Sequence, residues 1–433
     1  MKRDFDEVVA KWYASETRKP LMVVGVRQIG KTYLLDRFCR ATNRDYLFFN
    51  LDRDAEIVAI FEETIDPKKI IRRLELLLRK KINVAQTIFF FDEVQVSERF
   101  IAALKYFNES SENYKIVCAG SLLGVKINRF ESSFPVGKVQ IEHMHPLSFK
   151  EFMLACDEER LLEEIQNAFE LDLKLPQMLH DHALERYREY LCVGGMPESV
   201  KNFLENNQDI LLYDVSILRL ITQMYLADMN KYTTNKFETN KIELTYQRMI
   251  AQLAQKESRK FKYNLVDKHA SKRDYYSAIS WLLSSEMLID VTKITRVEMP
   301  LKAYVDPNAF KLYLSDVGLL VSQSELLLPD VILDKPYLFK GAITENYVAC
   351  EFKVKGISRY YWTSGNRAEV DFLLYNQDGI IPVEVKASAN TRSKSLNVYT
   401  EKYSPNYAIR ISSKHFGFEN GIKSVPLYAV WCI

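Results

Sequence analysis

The chain has 433 residues, and its 59 Lys+Arg against 57 Asp+Glu give a formal net charge of +2. That balance excludes a histone-like polycation and an acidic disordered tail, though a neutral sum can still hide a local basic face. Hydrophobic residues at 47% exclude a disordered chain, and at one domain per ~150 residues the length predicts roughly three domains.

No apolar stretch approaches the ~18–20 residues of a bilayer span, so no membrane partner is expected. The opening Met1-Lys2-Arg3-Asp4-Phe5-Asp6-Glu7 lacks the apolar core of a signal peptide. Cys39, Cys118, Cys156, Cys192, Cys350 and Cys432 form no C-x-x-C pair. Reduced, mostly buried thiols in a cytoplasmic protein are the expectation.

In chain order, Leu21–Val24 predicts a strand, followed by a glycine loop and a helix from Lys31. Tyr46–Leu51 predicts a second strand, with helices over 54–64 and 66–81, then strands at Thr87–Phe91 and Lys115–Ala119. Strands alternating with helices predict an α/β fold with a parallel sheet over residues 1–150. From Glu151 to Asp172 the chain carries eight acids and one Arg, which predicts helices with solvated acidic faces in an extension over 151–232. Between Asn235 and Tyr275 ten Lys/Arg face five Asp/Glu.

Residues 233–320 predict a winged helix-turn-helix. Its helices are expected at Lys241–Leu253, Asn264–His269 and Ser271–Leu283, and its wing strands near Leu288–Ile294 and Ala303–Val305. The third helix then carries Lys272, Arg273, Tyr275 and Tyr276 toward a groove, with Arg259, Lys260 and Lys262 near phosphates. A basic packing module reads equally well from the same residues. Residues 321–433 predict a helix around Ile343–Phe352 and a run of strands.

Gly25-Val26-Arg27-Gln28-Ile29-Gly30-Lys31-Thr32 fits G-x-x-x-x-G-K-[ST] between a predicted strand and a predicted helix. In that context backbone N–H groups cradle phosphates, including those of Gly25, Arg27, Gln28 and Gly30. Lys31 meets the β/γ-phosphates and Thr32 offers a hydroxyl to Mg²⁺. Ile88–Phe91 ends in Asp92 and Glu93. Asp92 is expected to hold Mg²⁺ through water, and Glu93 to orient the attacking water. Ser121, at the end of the strand Ile116–Ala119, is read either as a γ-phosphate sensor or as a helix N-cap. Arg27, Arg129 and Lys138 are the basic residues nearby, and no arginine finger is assigned among them.

Near the C-terminus, Glu369–Leu374 and Ile381–Lys386 alternate as two strands around Asn376-Gln377-Asp378-Gly379. A hairpin centred between Gln377 and Asp378 sets Asp371 opposite Glu384. Facing carboxylates repel unless a cation lies between them, and oxygen ligands suit Mg²⁺. Lys386 follows two residues on, on the same face. The spacing D-x(12)-E-x-K is that of a PD-(D/E)xK nuclease core, with Asp371, Glu384 and Lys386 as candidate catalytic residues. Glu345 on the preceding helix is a further candidate metal ligand. A surface hairpin of alternating charge is the simpler reading.

An ordered set of segments resembles a family of prokaryotic AAA+-type ATPases fused to a C-terminal restriction-endonuclease-like domain of unknown function. The resemblance rests on the phosphate loop, Phe91-Asp92-Glu93, Pro146-Leu147-Ser148-Phe149-Lys150-Glu151-Phe152 and Gly194-Gly195-Met196-Pro197. It continues through Phe310-Lys311-Leu312-Tyr313, Asp316-Val317-Gly318-Leu319-Leu320, Thr344-Glu345-Asn346, Glu369-Val370-Asp371-Phe372 and Val383-Glu384-Val385-Lys386. Where the family often has Gly-Arg before the Pro-Leu-Ser-Phe segment, this chain has Gly137-Lys138.

Together these motifs predict a nucleotide-driven switch that binds ATP and Mg²⁺, hydrolyses ATP with Lys31, Thr32, Asp92 and Glu93, and acts on DNA through its C-terminal half; a homo-oligomer is compatible with them. Two alternatives stand beside it. One is an ATP-regulated, Mg²⁺-dependent nuclease, and the other a non-enzymatic, nucleotide-gated module binding DNA or protein.

Overall fold

The computed structural model describes residues 1–42, 45–128, 134–231, 236–255, 259–365, 367–388 and 394–433. Arg129 and the expected boundary between 232 and 233 lie outside the described residues. The chain divides into two compact units, Lys2–His145 with Ser284–Glu286, and Pro146–Leu283 with Met287–Ile433.

The first unit is built on five parallel strands in the order β2-β3-β4-β1-β5. They are β1 (Leu21–Val24), β2 (Tyr46–Asn50), β3 (Ile88–Asp92), β4 (Lys115–Ala119) and β5 (Gln140–His143). Every residue of β1, β3 and β4 is buried, as befits strands covered by helices on both faces. The sequence showed the first four strands; β5 escaped notice because Gln140-Ile141-Glu142-His143 has one apolar residue in four and is partly exposed. Helix α1 (Lys31–Ala41) starts from Gly30 in the left-handed region at φ +85°. Helix α2 (Glu98–Glu109) packs Phe100 onto Phe61 and Phe91, with ring centroids 4.9 and 4.7 Å away. This aromatic cluster fixes the end of β3, and with it Asp92.

The second unit holds an eight-stranded mixed sheet in the order β12-β13-β11-β10-β9-β8-β6-β7. Its strands are β6 (Leu288–Ile294), β7 (Val305–Leu314), β8 (Tyr360–Thr363), β9 (Glu369–Asn376), β10 (Gly379–Val385), β11 (Ala408–Ser412), β12 (Gly417–Glu419) and β13 (Ile422–Pro426). The winged-helix expectation is corrected here. The first expected wing strand is β6, but of Ala303–Val305 only Val305 lies in a strand, β7, which follows a 3₁₀ turn over Leu301–Tyr304; β7 pairs antiparallel with β6 and β6 pairs in parallel with β8, so the two form one edge of the larger sheet. The expected helix at Asn264–His269 is a single 3₁₀ turn, Tyr263–Leu265. The helix expected over Lys241–Leu253 is two, α5 (Lys236–Gln247) and a short turn at Met249–Leu253, after α3 (Phe149–Ala155) and α4 (Gln177–Val193).

Four more helices complete the positioning of the C-terminal residues: α6 (Lys272–Ser284), α7 (Val317–Gln323), α8 (Lys340–Val354) and α9 (Lys394–Tyr403). Residues 342–352 of α8 are buried without a break, the mark of a helix enclosed on all sides. It packs on β6, β7 and β10, whereas α9 packs on β9 and β10.

Three of the segments that carried the resemblance meet at one node. Asp316 caps α7, its carboxylate accepting the Leu319 N–H at 2.9 Å and the Gly195 N–H at 2.6 Å. The Leu147 N–H donates to the Gly195 carbonyl at 2.7 Å. The chains approach so closely that a Cβ on Gly318 would stand 2.7 Å from Gly194 Cα, and one on Gly195 would overlap the Leu147 carbonyl. Glycine is needed there for space. All six cysteines are free thiols. No helix among the described residues is long and apolar enough to cross a membrane.

Candidate functional site

The loop between β1 and α1 wraps the Lys31 side chain. Its ammonium donates to the carbonyls of Gly25 and Val26, both at 2.7 Å. Only 7% of Lys31 is exposed. Burial lowers its pKa to about 8, against the opposing pull of Glu93 and Asp92.

Thr32 opens α1 and Asp92 ends β3, 60 residues later. The Thr32 hydroxyl donates to Asp92 Oδ2 at 2.9 Å, and Asp92 Oδ1 accepts the Glu93 N–H at 3.0 Å. Burial holds the Asp92 carboxyl above its usual range, with the Thr32 hydrogen bond pulling the other way. A hydroxyl and a carboxylate this close make a hard oxygen donor pair, and such a pair fits Mg²⁺.

Glu93 sits in the left-handed region at φ +53°, as do Gln28 at +66° and Leu122 at +59°. Such backbone in non-glycine residues costs about 1–3 kcal/mol each and gathers at functional sites. The Glu93 carboxylate accepts from the Ser121 hydroxyl at 3.2 Å and from Gln95 Nε2. Ser121 therefore faces Glu93, and the helix that follows begins only at Leu123. Gln95, 1% exposed, is a site residue that the sequence reading passed over. Its signal was its place two residues after Glu93. Glu286, grouped with this unit and paired with His143, was also missed, because the two stand 143 residues apart in the chain. Lys138 pairs with Glu109 at 2.9 Å.

The C-terminal hairpin has the expected register from Gly379 opposite Asn376 to Val383 opposite Phe372, and Asp371 and Glu384 follow directly beyond the last pair. Asp371 Oδ2 accepts the Val385 N–H at 2.9 Å. Lys386 Nζ lies 3.0 Å from Glu384 Oε1. The unforeseen residue is Lys311 on β7. Fully buried, its Nζ stands 2.5 Å from Glu369, 3.7 Å from Asp371 and 3.7 Å from Glu345. Burial works against its charge, but Tyr313 and these acids outweigh it and hold its pKa well above the ordinary value. Burial and the Glu345 charge raise Asp371 to about 7, while Lys311 pulls the other way. Arg259 pairs with Glu345, whose second oxygen accepts from the Tyr313 hydroxyl at 3.0 Å.

Of the expected nucleic-acid residues, Lys260, Lys262 and Arg273 are exposed. Arg259 is not on that face, because Glu345 draws it inward. The Lys272 ammonium is bonded to the Pro307 carbonyl and to Asn308 Oδ1, at 3.1 and 2.7 Å. Tyr275, expected to face a groove, is buried at 6% exposure, and Tyr276 is exposed.

Residues 17–153 match a family model described as an AAA domain. This segment is similar to AAA domains. Residues 184–329 and 340–430 match two further models, each described as a domain of unknown function. No curated protein matches the chain. Among solved structures, the chain is similar to a Walker-type ATPase of Pyrococcus abyssi at 15% identity and TM-score 0.45, covering 74% of this chain and 96% of that one. It is similar to the ORC2 protein of Aeropyrum pernix at 13% identity and TM-score 0.38, covering 78% and 92%. The ORC1 protein of the same organism, solved in complex with DNA, aligns at 11% identity and TM-score 0.31, covering 77% and 91%.

Proposed function

We propose that the protein is an ATP-hydrolysing switch whose reaction is run by Lys31, Thr32, Asp92 and Glu93. The observation that carries this reading is the 2.9 Å hydrogen bond from Thr32 to Asp92 beside the enclosed Lys31 ammonium. The backbone N–H groups of the loop from Gly25 to Gly30 bind the phosphate chain. The Lys31 ammonium leaves the Gly25 and Val26 carbonyls for the β/γ-phosphates. Thr32 and Asp92 would hold Mg²⁺, which would supply positive charge against the phosphates. Glu93, held by Ser121 and Gln95, orients the attacking water and draws off its proton.

Glu93→Gln tests this division of labour. Turnover is expected to fall by roughly 10²–10⁴-fold, the usual worth of a positioned general base, while ATP affinity stays within a few-fold. Turnover close to wild type would remove Glu93 from this role.

The switch is further proposed to act on nucleic acid through the exposed Lys260, Lys262 and Arg273 of the 233–320 segment, whose local charge supports the reading. Titration of DNA at several salt concentrations, with and without ATP, checks it. Three phosphate contacts give a slope of log K against log salt of about −3. Absence of binding in both nucleotide states would end the DNA reading.

A further inference from the structure

A PD-(D/E)xK hairpin implies a divalent metal between its acids, and the donor set here does not fit one. Glu345 comes from α8, Glu369 and Asp371 from β9, and all three turn toward the Lys311 ammonium of β7. We infer that this carboxylate cluster is a cation site that the chain fills with its own Lys311, backed by Arg259, and that it holds no divalent metal.

The reasons are those of charge and ligand supply. A lysine with none of its side chain exposed survives only where fixed counter-charges replace water. Here three carboxylates surround the Nζ as ion pairs without a well-directed hydrogen bond, and the face of Tyr361 lies 5.0 Å from it. The acids are in turn occupied. Glu345 takes Arg259 and the Tyr313 hydroxyl, Glu369 takes Lys311, and Asp371 takes the Val385 N–H. Mg²⁺ requires a nearly octahedral shell of oxygens. At Asp371 it would stand beside a buried ammonium of like sign. Glu384 retains one buried oxygen, Oε2, with no hydrogen-bond partner, while its other oxygen is on Lys386. One carboxylate oxygen does not make the shell. Among the described residues, no group of three or more His, Cys, Asp or Glu side chains is arranged to hold a metal ion. The D-x(12)-E-x-K spacing has thus kept its register while an internal cation stands at its acids.

The test is a Mn²⁺ titration of the full-length, nucleotide-free protein, read by the electron paramagnetic resonance of free Mn²⁺. Any binding at the phosphate loop is common to all variants, so the outcome does not depend on the ATPase reading. Wild type and Asp371→Asn are expected to give the same isotherm, as is Glu384→Gln. Lys311→Met is expected to gain a Mn²⁺ site that disappears when Asp371→Asn is added. Wild-type binding weakened tenfold or more by Asp371→Asn or Glu384→Gln would overturn the inference, and so would a folded Lys311→Met that gains no site. If Lys311→Met does not fold, the comparison of wild type with the two acid variants decides alone.

Discussion

Lys31 is the residue on which the proposed nucleotide binding turns, and its environment makes a pH prediction. In the free protein burial sets its pKa at about 8. Triphosphate oxygens around the ammonium favour the charged form and raise that value. ATP binding therefore takes up a proton above pH 8, and affinity falls as pH rises beyond that point. Calorimetry at pH 9 in two buffers of different ionisation heat is expected to give different enthalpies, converging at pH 7. Identical enthalpies at pH 9 would show that Lys31 is already fully charged. The phosphate loop and Asp92-Glu93 were legible in the sequence because their meaning is local: a glycine loop between strand and helix, and a pair of acids ending an apolar strand. Lys311 was not. It lay inside the segment Phe310-Lys311-Leu312-Tyr313 with no role, because its partners stand 34, 58 and 60 residues away. A cation inside the apolar run Ala309–Leu314 of β7 was the available sign.

Between elements, the junction of Leu147, Gly194-Gly195 and α7 is the most constrained part of the second unit. A Cβ at Gly318 meets the Gly194 backbone, which cannot retreat as a side-chain end can. Gly318→Ala is expected to cost about 1–3 kcal/mol or more by overpacking. Urea unfolding reads this as a lower midpoint, and an unchanged midpoint would show that the junction yields. Asp316 adds a pH dependence. Burial raises its folded pKa to about 6 against three backbone N–H groups that lower it, compared with 3.8 as the ordinary value. A raised folded value means that the native state holds the proton more tightly. The stability so gained is complete below pH 3.8 and is lost as pH rises through 6. Asp316→Asn, which keeps one acceptor oxygen but turns an NH2 toward the other N–H, is expected to lower stability and to flatten its profile between pH 4 and 6. The motifs that build this junction were visible in the sequence, but their meeting was not, since the spacing of Gly195 and Asp316 along the chain says nothing of their contact. Strand partnership was hidden for the same reason. The hairpin of β9 and β10 could be registered from its turn, whereas the parallel pairing of β6 with β8 depends on segments far apart in sequence.

For the whole molecule, the charge of +2 averages unlike parts: net −7 over Glu151–Asp172 against +5 over Asn235–Tyr275. The structure thins the basic side of this balance, because Glu345 takes Arg259 and the start of β7 takes Lys272. The proposed nucleic-acid face then rests on the exposed Lys260, Lys262 and Arg273. With Lys311 filling the C-terminal acid cluster, supercoiled plasmid is expected to remain intact after incubation with Mg²⁺ or Mn²⁺, with or without ATP. Cleavage abolished by Asp371→Ala would instead support the nuclease alternative. The account's centre is the phosphate loop, and steady-state phosphate release from Mg²⁺-ATP tests it most directly. Wild type is expected to turn over ATP and Lys31→Ala to fall to background with its melting curve unchanged. Equal release from both proteins would contradict the account.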